Sequence, residues 1–155
     1  MTSSPRRILV PVDFGPASDA AVAHATGLAA ALDAELLLLA VVPLPALGPV
    51  ILPPEPDGMV EHADPENRLA SRRLARTQAG IASGVTSRRC LRWGLAGPAI
   101  VDAARQEDAD LVVVPRQPGH SLAHPLRDAT DRHVVQHSEV PVLVVPPPPP
   151  ETGAD

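Results

Sequence analysis

The sequence predicts an α/β fold: one doubly wound, five-stranded parallel sheet in the order 3-2-1-4-5, with helices on both faces. Two observations carry this. Short apolar runs alternate with segments whose apolar residues recur every three or four positions. The runs are rich in Val, Ile and Leu and are continuous rather than alternating, as strands covered on both faces require.

The first such run is Ile8 to Val12, broken only by Pro11, and Gly15-Pro16 punctuates it. A helix is expected from Ala17 to Asp33, with Val22, Ala25, Leu28, Ala29 and Leu32 as its inner stripe. Leu36 to Val42 is the second strand. Residues 43–63 hold six prolines, Gly48 and Gly58, and read as a mobile surface loop. Asp64-Pro65-Glu66 then reads as a helix start, with Asp64 as N-cap and Ala70, Leu74, Thr77 and Ile81 facing inward. Val85 to Trp93 is the third strand. Gly97-Pro98 opens a helix ending near Asp108. Leu111 to Val114 is the fourth strand, Asp128 to Ser138 the last helix and Val140 to Val145 the last strand. Residues 1–146 form the domain, and 147–155 a disordered, Pro-rich tail.

At 155 residues the chain is expected to be one domain. Hydrophobic residues make up 45% but aromatics only 1%, so Ala, Val and Leu must fill the core. All 13 basic residues are Arg, and the net charge of −5 argues against a general nucleic-acid binder. The single cysteine, Cys90, rules out an internal disulfide and fits a reducing cytoplasm; it reads as a small buried apolar residue. No run is long enough for a membrane span, and the expectation is a cytoplasmic protein.

In a sheet of this order a ligand binds where the first and fourth strands diverge. The loops there are VDFGPAS and PRQPGHS. Asp13 suits either recognition of a ribose or capping of its own turn. His133 and His137, four apart on a helix, have the spacing of a shared metal, as do His120 and His124, but His137 is equally explained by the helix dipole. No metal is therefore assigned. Ser121 with His120 or His124 and Asp128 lacks the G-x-S-x-G elbow of a hydrolase triad, and no catalytic residue is assigned. Trp93 reads as packing; an exposed indole there would indicate a contact surface.

RRILVPVDFGPASDAAVAHATGLAAALDAELLLLAVVP, IVDAARQEDADLVVV and HVVQHSEVPVLVVP together resemble the universal stress protein family, in order and in spacing. The resemblance implies a Rossmann-like domain of the adenine-nucleotide alpha-hydrolase type. Some members bind ATP through a Gly-x2-Gly-x9-Gly-[Ser/Thr] loop after the fourth strand, whereas others lack the glycines. Here Pro115, Pro118 and Asp128 stand at the glycine positions and Ala129 at the hydroxyl position. A shift of one residue brings in Gly119 and Thr130 without recovering the motif. Pro118 removes an N–H donor and Asp128 would repel a phosphate, with Arg116 and Arg127 in part compensating.

By the same resemblance, Pro11, Val12, Asp13 and Val41 match the adenosine half of the site, with Val114 beside them: Asp13 on the ribose, Val12 and Val41 about the adenine. The expectation is a non-catalytic stress or regulatory protein that retains no cofactor and works through an unidentified protein partner. The alternative is an AMP- or ATP-binding domain, with slow ATP hydrolysis as a weaker form of it. The resemblance also implies a homodimer through the last strand, with Val142, Leu143 and Val144 near the axis.

Overall fold

The computed structural model describes residues 3–43, 65–116 and 130–150. The Pro-rich segment from residue 44 to Asp64, the loop from residue 117 to Ala129 and the tail from residue 151 lie outside the described residues, and with them Pro118, Gly119, His120, Ser121, His124, Arg127, Asp128 and Ala129. The described elements are β1 (Arg7–Pro11), α1 (Pro16–Leu32), β2 (Glu35–Val42), α2 (Pro65–Ala79), β3 (Ser87–Trp93), α3 (Ala96–Gln106), β4 (Leu111–Pro115), α4 (Thr130–His137) and β5 (Val142–Val145). The sheet is parallel, in the order β3-β2-β1-β4-β5. This is the predicted topology.

Each buried strand serves two cores. Ile8, Val10, Leu36, Leu38 and Val113 face one cluster, completed by Ala21, Ala25 and Ala29 of α1 and Leu74 of α2. Leu9, Leu37, Leu39, Val112 and Val114 face the other, closed by Ile100, Ala103 and Ala104 of α3 and Val134 of α4. The alternation of side chains across a strand produces this division. Leu36 to Leu39 are each wholly buried, and each such side chain contributes about 1.5–3 kcal/mol. Small Ala residues on α1 let that helix sit close to the sheet, which offsets the shortage of aromatics.

Several boundaries and faces differ from the sequence reading. Leu32 is 37% exposed, because α1 ends there and Asp33 takes a left-handed conformation (φ 54°) that turns the chain away. The inner face of α1 also includes Ser18 and Ala21, both fully buried. Only Leu74 of α2 is fully buried; Ile81 packs on the core from the turn after the helix. Val85 lies outside β3: its N–H donates to Ala82 O in a turn. Val140 lies outside β5, because the Ser138 hydroxyl donates to Val140 O (2.7 Å) and accepts from its N–H (3.2 Å). Trp93 is 48% exposed, not packed away, and its Nε1 donates to Asn67 Oδ1 of α2 at 2.9 Å.

At the amino ends of β1 and β2, Glu35 accepts from Arg7 (2.8 Å) and Arg88 (3.1 Å), and at the end of α3 Glu107 accepts from Arg88 (3.1 Å) and Arg92 (2.7 Å). Three strands and the end of α3 are thereby tied by one network. Partial burial pushes both carboxyls up; hydrogen bonds and charge from the arginines outweigh it, and both lie below the ordinary value of 4.5. A depressed folded value means the unfolded chain binds more protons in this range. The network's contribution is therefore complete above the unfolded value near 4.5 and is lost as pH falls through the lower folded value. Urea denaturation across an acid series is expected to show this limb, and Glu35→Gln with Glu107→Gln to flatten it; an unchanged limb in the double variant would assign it elsewhere.

Candidate functional site

The site is set by the ladder between β1 and β4. Val12 N–H donates to Leu39 O (2.7 Å), while Arg7 O accepts from Asp110 N–H (2.8 Å). Even-numbered residues of β1 therefore turn their N–H toward β2, and odd-numbered ones toward β4. Pro11 is odd and has no N–H to give β4. The described register of the pair runs from Ile8 with Leu111 to Leu9 with Val112 and stops short of Pro11. The carboxyl ends of β1 and β4 part here, at the switch point of the strand order.

Val12 follows Pro11, buried at 4% exposure, with Val41 half-buried on the neighbouring strand. Asp13 is exposed, and its Oδ1 accepts from Gly15 N–H at 2.9 Å, the Asx turn that the capping alternative describes. Asp13's own N–H donates to Ser18 Oγ at 3.1 Å. Ser18 is wholly buried in the first turn of α1, and the sequence reading did not single it out. A Ser three residues into a helix that begins at Pro is the signal that was available, since a hydroxyl there can reach back to the incoming chain. Phe14 between them has φ 66°, and the guanidinium of Arg73 in α2 stands 5.6 Å above its ring. The turn is thus held by α1 from below and α2 from the side.

On the β4 side, Val114 and Pro115 are buried and Arg116 is exposed. Pro115 has no N–H, and the Arg116 N–H donates to Val145 O of β5 at 2.7 Å. The last residue of β4 and the first residue after it therefore present no free backbone donor. Thr130 begins α4, half-buried. The structure thus gathers Pro11, Val12, Asp13, Val41, Val114, Pro115 and Arg116 at the strand ends, with Pro118, Gly119, Asp128 and Ala129 outside the described residues.

Two other features of the sequence resolve away from this chemistry. His133 and His137 stack with ring centroids 4.2 Å apart, and His137 Nδ1 lies 2.9 Å from His133 O. Among the described residues no group of three or more His, Cys, Asp or Glu is placed to hold a metal. A side chain at Gly97 would come within 2.9 Å of the His133 ring, so His133 packs directly on the first turn of α3. Cys90 is buried at 7% exposure; burial pushes its thiol up, and Glu107 adds to that against the nearby Arg92. It is held as a thiol. Among the described residues, no helix is long and apolar enough to cross a membrane.

An open, doubly wound parallel sheet with its switch point between β1 and β4 defines a Rossmann-like α/β domain. The sequence matches the Universal stress protein family over residues 5–146, and the chain belongs to that family. A search of curated proteins found no match. Among solved structures, a universal stress protein family protein from Burkholderia pseudomallei is 25% identical, with a TM-score of 0.68 over 96% of this chain and 100% of that one. A universal stress protein in complex with cAMP is 22% identical, with a TM-score of 0.63 over 92% of this chain and 98% of that one. A family protein from Arabidopsis thaliana with AMP bound is 18% identical, with a TM-score of 0.59 over 97% of each chain.

Replacing Ser18 with Ala leaves the Asp13 N–H without its acceptor. The variant is expected to lose about 1–3 kcal/mol of stability and to loosen the β1–α1 turn. Chemical denaturation measures the first, and amide exchange at Asp13 and Gly15 the second.

Proposed function

We propose that this universal stress protein is a cytoplasmic, non-catalytic homodimer that acts in stress response or regulation through protein contacts and does not retain ATP. The observation that carries this reading is the start of the loop after β4. Pro115 has no donor and the Arg116 N–H is spent on β5, where a phosphate loop needs free N–H groups. Pro118, Asp128 and Ala129 in the sequence that follows support the same reading, since none restores the glycine-and-hydroxyl chemistry.

The second reading is favoured by the other half of the site. Val12 and Val41 flank the crevice beside Asp13, and relatives of the same fold were crystallised with cAMP or AMP. An adenine compound with fewer phosphates makes less use of a donor-poor loop, and Arg116 is exposed beside it. Asp13 would meet the ribose.

Calorimetric titration separates the two. The first reading expects no saturable heat with ATP, and a micromolar dissociation constant would overturn it. A thermal-shift panel of AMP, cAMP and ATP tests the second: a stabilisation by AMP or cAMP that disappears in Asp13→Ala supports it, and a flat panel removes it.

The dimer is proposed through β5, an edge strand whose residues Val142, Leu143, Val144 and Val145 carry no charge. Val144 is 37% exposed and Val135 of α4 is 53% exposed on the same side of the sheet. Sedimentation at micromolar concentration is expected to give a dimer, and Val144→Arg to give a monomer with an unchanged circular dichroism spectrum. A native monomer would sink the proposal.

A further inference from the structure

The sheet's other edge carries the opposite chemistry. β3 is its last strand, with β2 as sole neighbour among the described residues, and it holds Arg88, Arg89 and Arg92. Leu36 N–H donates to Thr86 O (2.9 Å) and Gly94 N–H to Val42 O (3.0 Å). Even-numbered residues of β3 therefore face β2, and Ser87, Arg89, Leu91 and Trp93 turn their N–H and C=O groups outward. The Gln78 amide confirms the direction by donating to Ser87 O at 3.1 Å. Further along, Leu91 O accepts from the Arg92 guanidinium at 3.0 Å. Between these two side-chain plugs, Arg89 C=O and Leu91 N–H have no partner among the described residues. One residue of a parallel strand lying alongside would pair with both.

Beside this edge an open groove of about 440 Å³ runs between α2 and β3, lined by Ser71, Leu74, Gln78, Ser87, Arg89 and Leu91 along with Arg88. Arg68 and Arg72, four apart on α2, lie on the helical side that continues from Ser71, and both are exposed. Seven of the chain's 13 arginines fall on α2 and β3, against one acid, Glu66. The acids that approach from other elements, Glu35 and Glu107, are already paired with Arg88 and Arg92. The half-exposed Trp93 stands at the end of the edge, fixed by Asn67. An ordered aromatic beside an open backbone edge and several arginines is the composition of a contact surface.

We propose that the β3 edge and its α2 groove take up an extended acidic segment of a partner protein, paired to β3 as an added strand. Its alternate carboxylates meet Arg72 and Arg89, and its backbone engages Arg89 C=O and Leu91 N–H. A second copy of this chain is a poor occupant, because β3 against β3 brings six arginines together. The basic edge thus serves a different partner from the uncharged β5 edge.

The chain has a single tryptophan, Trp93 at the end of β3, so its intrinsic fluorescence reports on this edge. The probe is an acetylated, amidated peptide of alternating valine and glutamate, titrated into the full chain. Saturable binding with a blue shift is expected, weakened about tenfold by Arg72→Glu with Arg89→Glu and by raised salt. Backbone N-methylation of the peptide on alternate residues should abolish it. A valine–lysine peptide should bind the double variant and not the native chain, which also shows that the variant is folded. The proposal fails if the acidic peptide does not saturate, if N-methylation is without effect, or if a DNA oligonucleotide binds as tightly at the same arginines. It fails equally if native dimers dissociate on Arg89→Glu, since the edge would then belong to a second copy.

Discussion

Everything in this molecule depends on β1 lying between β2 and β4 with both of its faces covered. Ile8, Leu9 and Val10 are each wholly buried, so neither face of the sheet can be left to water. That forces two helical layers: α1 and α2 on one side, α3 and α4 on the other. The Leu run of β2 extends the same constraint outward, and the outer strands β3 and β5 are less buried. The core is made of many mid-sized aliphatic groups rather than a few rings, which suits the close seating of an Ala-rich α1.

Central placement also creates the site. A parallel sheet that winds both ways from its middle strand must open a crevice where the direction changes. Here Pro11 sharpens the opening, because the one residue that would continue the ladder toward β4 has no hydrogen to offer. The crevice floor is apolar, with Asp13 held in a turn by Gly15 and Ser18. Its far wall is different: Pro115 and Arg116 have given up or spent their donors. The same geometry that gives one wall an apolar floor and an ordered turn leaves the other wall poor in backbone donors, and the proposed loss of ATP binding rests on that imbalance.

The polar side chains are divided just as sharply. Arg7, Glu35, Arg88, Arg92 and Glu107 pair within one network, while Arg68 and Arg72 of α2 and Arg89 of β3 are exposed. Surface pairs of this kind contribute little each, about 0–1 kcal/mol, but the network fixes where the unspent positive charge lies. A chain with a net charge of −5 therefore presents one basic edge and one uncharged edge.

By itself the sequence determined the layer order, the strand order and the position of the crevice, because those follow from continuous apolar runs alternating with helical periodicity. It also determined the chemical identity of the loop residues, since Pro115 has no N–H in any fold. What only the tertiary structure decided is which groups are already occupied. That Asp13 turns back on Gly15, that Arg116 N–H is consumed by β5 and that Ser18 is buried beneath the turn depend on atoms brought together from separate elements. Leu32 and Trp93 are more exposed than their hydrophobicity predicts, because the left-handed turn at Asp33 and the edge position of β3 settle how much cover each receives. The direction of each backbone N–H on β1 and β3 is likewise invisible in a one-dimensional string. It is set by pairing register, and register here decides both where the crevice opens and which groups of the basic edge remain to be paired.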